Sequence, residues 1–204
     1  MNKKSFDDVA DIVKDRCREI IKRKVERVNS FYDNHDNVVV ILEEVIQAID
    51  NAFTSEDYPK ALYGIKSMIN YTFKNYNDSY TDLITALEGD QTNGILYYIM
   101  GEIKLKRKEY ISALASFNSA ILYNETSTTT YKQRAIAKGF LNDFKGALED
   151  YDIILKREPQ NAEIFYLRAI AKNYLADYNG ALSDLNRAIS ISDTFSSAYN
   201  YRGI

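Results

Sequence analysis

Apolar residues in the second half of the chain recur at intervals of three and four, which is the spacing of one face of an α-helix. One such segment covers residues 162–175 and the next covers residues 178–191. Only Ala176 and Asp177 separate the two segments, so the pattern predicts two antiparallel helices joined by a tight turn. Asn161, a residue type that caps helices, lies directly before the first of them.

The chain repeats itself with a period of 34 residues. Residues 131–138 (YKQRAIAK) align with residues 165–172 (FYLRAIAK), and residues 143–148 (DFKGAL) align with residues 177–182 (DYNGAL). Equivalent positions of the repeat hold similar residue types one period earlier, and the similarity is weaker two periods earlier. The repeat therefore predicts four units and the start of a fifth, with bounds 60–93, 94–127, 128–161, 162–195 and 196–204.

A helix–turn–helix unit of this length with alternating aromatic and small slots resembles the tetratricopeptide repeat. The small slot of the first helix is filled by Gly101, Ala135, Ala169 and Gly203, and short side chains allow two helices to approach closely. The resemblance implies an all-α fold, a right-handed α-solenoid (superhelix) of helix–turn–helix repeats. In this interpretation residues 60–204 form the tetratricopeptide repeat domain and residues 1–59 form an N-terminal helical capping region.

The predicted cap contains two helices, over residues 5–32 and about 38–54. Residues 14–27 hold seven Lys or Arg against three Asp or Glu. Such a basic amphipathic helix could bind nucleic acid or a membrane surface. We favour a cap whose apolar face seals the solenoid, because that face lacks the Trp and Phe content of interfacial anchors.

The composition argues against catalysis and against a metal or other cofactor. One cysteine (Cys17) and one histidine (His35) exclude a disulfide framework and a multi-histidine metal site. The chain has no phosphate-binding glycine loop, dinucleotide fingerprint or nucleophile elbow. A net charge of −3 gives no general attraction to nucleic acid. The N-terminus lacks a secretory core and no segment could span a bilayer, so the sequence predicts a cytoplasmic protein.

In the tetratricopeptide family the first helix of each unit lines a concave groove that holds a peptide or a partner helix. The resemblance carries this role over to a set that we call the candidate groove residues: Tyr71, Tyr98, Glu102, Lys106, Lys132, Phe140, Tyr166, Asn173 and Tyr174. The asparagine slot of the family's chaperone-binding clamp holds Met68, Glu102, Ile136 and Ile170, so chaperone C-termini are not the expected ligand. Whether the tyrosines face a ligand or pack between repeats stays open at this point.

These features predict a protein–protein interaction scaffold or adaptor that binds a peptide or helix and does not catalyse a reaction. Two alternatives remain. The chain could be a regulatory or sensor domain of a larger effector that continues past Ile204, or a nucleic-acid or membrane-surface binder through residues 14–27. Self-association through the C-terminal edge or the long first helix is a further possibility.

Charged residues also follow the 34-residue period. Arg134, Arg168 and Arg202 share one slot of the first helix, and Asp150 and Asp184 share one slot of the second helix. A buried guanidinium needs a partner, because desolvation costs it several kcal/mol. We therefore expect partly buried, bidentate Asp150–Arg168 and Asp184–Arg202 pairs that join each unit to the next.

Overall fold

The computed structural model describes residues 60–203, and these residues form nine α-helices and no strand. The all-α prediction is confirmed. The predicted capping region 1–59, with its basic segment 14–27, lies outside the described residues. The helices are α1 (Lys60–Thr72), α2 (Tyr76–Gly89), α3 (Gly94–Lys106), α4 (Tyr110–Leu122), α5 (Thr128–Phe140), α6 (Phe144–Arg157), α7 (Ala162–Tyr174), α8 (Tyr178–Ile191) and α9 (Ser196–Arg202).

The helices belong to two compact units that divide between Gln91 and Thr92. The first unit contains α1 and α2, which pack against each other. Serine fills the small slots of this pair, and the Ser79 hydroxyl donates a hydrogen bond to the Ser67 carbonyl at 2.8 Å. The polar side chains at this interface are therefore compatible with burial, because they are hydrogen-bonded.

The second unit contains α3 to α9, and its helices alternate regularly. Each first helix packs on the second helix of its own pair, and each second helix packs on the first helix that follows. The first helix α3 also contacts the first helix α5. Within this unit α3 and α5 therefore lie next to each other, as a groove lined by first helices requires.

The small residue Gly101 of α3 packs against the large ring of Phe117 on α4. A Cβ atom added to Gly101 would lie 2.6 Å from Cε1 of Phe117, whose side chain is fully buried. In the next pair Ala135 lies opposite Tyr151. Like Gly101 and Phe117, both residues are buried. The aromatic ring thus fills the space that the small residue leaves, and close packing makes both positions sensitive to changes of volume.

Polar side chains cap three of the described first helices, and Asn93 caps α3 by accepting a hydrogen bond from the Leu96 amide at 3.4 Å. Asn161 accepts a hydrogen bond from the Ile164 amide at 3.1 Å, so it caps α7 as the sequence predicts. The cap of α5 is Ser127, which accepts from the Thr130 amide at 3.2 Å. Residues 128–130, which follow Ser127, form the first turn of the helix.

The turn inside each helix pair contains one residue with a positive φ. These residues recur with the 34-residue period and are Lys74, Lys108, Asn142 and Ala176, with φ between 61° and 63°. Left-handed backbone costs an ordinary L-residue about 1–2 kcal/mol, and Asn tolerates it better than Ala. Ala176 therefore bears a conformational cost that Asn142 largely avoids.

Replacing Ala176 with glycine should raise the free energy of unfolding by about 0.5–1 kcal/mol, because glycine adopts this φ without the Cβ clash. Urea denaturation of the variant and the wild type measures the change. Ala115→Gly is the control, since Ala115 is an exposed residue inside α4, where glycine should cost about 1 kcal/mol. Equal destabilisation by both substitutions would contradict the explanation.

Candidate functional site

Two of the candidate groove residues present an open aromatic face. Phe140 at the end of α5 stacks on Tyr110, with ring centroids 4.4 Å apart and an interplanar angle of 9°. Tyr174 at the end of α7 stacks on Phe144 in the same way, at 4.4 Å and 2°. Phe140 remains 57% exposed and Tyr174 remains 65% exposed. Each ring is therefore held flat by its neighbour while most of its surface stays available for a ligand.

Tyr98 lies in a different environment, because its ring packs against the core. Its centroid is 6.1 Å from that of the buried Phe117 ring, and Tyr98 itself is half-buried. Burial and the nearby carboxylates of Glu102 and Glu125 raise the pKa of Tyr98 to about 12. Tyr98 thus contributes to packing on one side and can offer only part of its ring to a ligand.

Tyr166 also packs within the protein. Its ring meets Phe195 edge-on at 5.3 Å and Tyr201 at 6.0 Å. The hydroxyl of Tyr201 in turn accepts a hydrogen bond from the Asn173 amide nitrogen at 3.0 Å. These contacts tie α7 to α9 and to the turn before it, so Tyr166 is part of the structural framework.

Together with Glu163, the charged candidate groove residues carry no net formal charge. The Lys132 ammonium lies 3.2 Å from a carboxylate oxygen of Glu163, which joins α5 to α7. Glu102 is buried, and Lys106 is exposed. Tyr71 belongs to the other compact unit, where its ring packs on Tyr76 at 5.7 Å.

The periodic arginines and aspartates form ion pairs, but with different partners from those expected. Arg134 makes a bidentate contact with Asp150 on the second helix of its own pair, at 3.0 Å and 2.5 Å. Arg168 makes the same contact with Asp184, at 2.8 Å and 2.6 Å. The predicted pairs Asp150–Arg168 and Asp184–Arg202 are therefore wrong.

The direction of each guanidinium explains the difference. The Nε and Nη2 atoms of Arg168 point across its own helix pair to Asp184, and only Nη1 reaches back to the preceding unit. There Nη1 meets the exposed Asp152 at 2.7 Å rather than the buried Asp150. The corresponding Nη1 of Arg202 donates to Asn186 at 3.0 Å. Arg134 and Arg168 thus each link two second helices, and the buried carboxylate that each one binds belongs to its own unit.

Sequence reasoning missed a second cation at each of these clusters. Lys138 lies 2.9 Å from Asp150, and Lys172 lies 2.8 Å from Asp184. Both lysines end the aligned octapeptides of the repeat, so their 34-residue spacing was a visible signal. Each buried carboxylate is therefore held by one arginine and one lysine.

Within residues 60–203 no helix is long and apolar enough to cross a membrane. No group of His, Cys, Asp or Glu side chains in this same range could hold a metal ion.

No protein-family model matches the sequence, and no curated protein matches it. Solved structures do resemble it. YrrB, described as a TPR protein with an unusual peptide-binding site, is 18% identical, with a TM-score of 0.67 over 100% of both chains. MamA (41-end) from Desulfovibrio magneticus RS-1 is 14% identical, with a TM-score of 0.66 over 71% of this chain and 81% of that one. The TPR domain of Arabidopsis OM64 is 23% identical, with a TM-score of 0.51 over 54% of this chain and 91% of that one. The chain therefore has the fold of the tetratricopeptide repeat proteins.

Proposed function

We propose that this protein is a non-catalytic interaction scaffold that binds a peptide or a helix of a partner protein on its first helices. The observation that carries the proposal is the pair of open, stacked rings of Phe140 and Tyr174. Aromatic side chains supply large contact areas, and rings already fixed by stacking lose little freedom when a ligand binds. The fold is shared with YrrB, whose description includes a peptide-binding site.

The charges of the first helices indicate the kind of ligand. Lys132 and Glu163 neutralise each other, and Glu102 is buried. Exposed apolar side chains, by contrast, include Ile95 on α3 and Phe140 on α5. An apolar segment of low net charge suits this surface better than an acidic or basic tail, because a charged tail would find few opposite charges there.

Selection of short random peptides on the immobilised chain would test the proposal. The affinity of a selected peptide is then measured by fluorescence anisotropy for the wild type, Phe140→Ala and Tyr174→Ala. We expect each substitution to weaken binding by about tenfold or more, since exposed aromatic anchors dominate such interfaces. Circular dichroism should show the same helix content in all three proteins, because both rings are mostly exposed.

The control is Leu122→Ala, which removes an exposed apolar side chain at the end of α4, a second helix. It should leave the peptide affinity unchanged. Selected peptides that bind the Phe140 and Tyr174 variants as tightly as the wild type would place the binding surface elsewhere and refute the proposal.

A further inference from the structure

The lysines that bind the buried aspartates have a third counterpart, in the pair of α3 and α4. Lys104, Lys138 and Lys172 follow the 34-residue period. The ammonium group of Lys138 lies 2.9 Å from the buried carboxylate of Asp150, and that of Lys172 lies 2.8 Å from the carboxylate of Asp184. Two of the three lysines are therefore counter-ions of a buried carboxylate.

Lys104 differs from the other two because its partner is neutral. The positions of the repeat that hold arginine and aspartate in the later units are filled here by Met100 and Ser116, and both are buried. Lys104 donates a hydrogen bond to the Ser116 hydroxyl oxygen at 3.1 Å, and this hydroxyl donates to the Ser112 carbonyl at 3.0 Å. Among residues 60–203, no carboxylate forms an ion pair with Lys104. Its half-buried ammonium group therefore has no counter-charge in contact.

This environment favours the neutral amine of Lys104. Burial lowers the pKa of Lys104, because the ammonium ion loses hydration, and the carboxylate of Glu109 offsets only part of that shift. The Ser116 hydroxyl already donates its proton to Ser112, so the lysine nitrogen is the donor in its bond to Ser116. In the neutral form the lone pair of the nitrogen is therefore outside this hydrogen bond. A neutral amine with a free lone pair is a nucleophile.

The chain shortly after Lys104 is basic. Residues 106–109 (KRKE) are three basic residues and one acidic residue, and all four are exposed. The equivalent segments, 140–143 (FLND) and 174–177 (YLAD), contain one aspartate each and no basic residue. A segment of positive formal charge attracts small anions and raises their local concentration. Of the three periodic lysines, Lys104 is therefore the one beside a segment that favours an anionic reagent.

We propose that Lys104 is a site of covalent N-acylation by a small acyl phosphate. The lysine nitrogen attacks the carbonyl carbon, a C–N bond forms and the C–O bond to the phosphate breaks. The phosphate leaves with the bonding electron pair, and the proton lost by the nitrogen passes to the released phosphate or to water. The product is a neutral amide, which suits a half-buried place without a counter-charge. The same reaction at Lys138 would remove one of the two cations that bind Asp150.

The probe is acetyl phosphate, added to the 204-residue chain at mildly alkaline pH, and mass spectrometry of peptides measures the initial rate of acetylation at each lysine. We expect Lys104 to react about tenfold faster than Lys138 and Lys172, because carboxylates hold those two as ammonium ions. Equal rates at the three lysines would overturn the proposal. An equal preference for Lys104 with the uncharged donor N-acetoxysuccinimide would also overturn it, because the anionic donor would then have no advantage.

The variant Ser116→Asp supplies the carboxylate that the later units have, and it should slow the acetylation of Lys104 about tenfold. Ser116→Asn is the matched control, because it adds a similar volume without charge and should leave the rate unchanged. Lys145, an exposed lysine on α6, is the internal reference and should react equally in all three proteins. Equal slowing by both substitutions, or slowing by neither, would overturn the role of the missing carboxylate. The comparison of lysines in the wild type does not depend on the folding of a variant, and the stacked rings of the proposed peptide site take no part in the reaction.

Discussion

Replacing Asp184 with alanine should lower the free energy of unfolding by roughly 3–5 kcal/mol. Its carboxylate is only 5% exposed and binds both Arg168 and Lys172. Alanine would leave two cations beside a partly buried cavity without their shared counter-charge. An uncompensated charge of this kind costs far more than the net contribution of an intact ion pair. Urea denaturation followed by circular dichroism measures the loss.

Asp152→Ala is the matched control, because Asp152 binds the same guanidinium from the preceding unit. Its side chain is 53% exposed, so we expect a loss of less than about 1 kcal/mol. A double-mutant cycle of Asp184→Asn with Arg168→Met then isolates the interaction between the two groups. Equal losses for Asp152→Ala and Asp184→Ala would show that burial does not decide the strength of these pairs.

Replacing Phe117 with alanine should cost about 3–5 kcal/mol, the usual range for removing a buried aromatic ring. The ring is fully buried between α3 and α4 and forms a core cluster with Ala113 and Ala137. Gly101 opposite has no side chain that could move into the cavity. We therefore expect a value in the upper part of the range, since the cost rises with the volume of cavity that remains.

Ile111→Ala on the same helix is the control for Phe117→Ala. Ile111 is 75% exposed, and its truncation should change the free energy of unfolding by no more than about 0.5 kcal/mol. Adding Gly101→Ala to the Phe117 variant should recover part of the loss, because the ring that would clash is gone. A further loss in the double variant would mean that Gly101 is required for a reason other than the Phe117 ring.

The helix pairs could be predicted from the sequence because their signals are local. Apolar spacing, the short turn at Ala176 and the cap at Asn161 act within one unit and repeat from unit to unit. The partners of the arginines could not be predicted in this way. Asp184 lies 16 residues after Arg168 and Asp150 lies 18 residues before it, so sequence distance does not separate the two choices. Only the direction of the guanidinium across the helix pair decides between them.

The environments of the tyrosines could not be predicted from the sequence either. Tyr166 and Tyr174 lie on one helix and both belong to the candidate groove residues, yet their environments differ. Tyr174 lies at the end of α7, where Phe144 covers only one face of its ring. Tyr166 lies nearer the start, where the rings of Phe195 and Tyr201 enclose it. Coverage thus depends on residues that are close in space but belong to other helices.

The guanidinium of Arg168 connects three consecutive helices, since it contacts Asp152 on α6 and Asp184 on α8 from its own place on α7. In a linear array of repeats, the total stability is the sum of the stability of each unit and the interaction energies between neighbouring units. Arg168 contributes to the stability of its own unit and to the interaction with the preceding unit, so separation of α8 from α7 also weakens the junction with α6. At the preceding junction Arg134 meets the neutral amide of Asn118 instead of a carboxylate. The electrostatic interaction between neighbouring units therefore differs along the array. Units 128–161 and 162–195 are joined by an ion pair, and the preceding junction has a hydrogen bond to a neutral amide in its place.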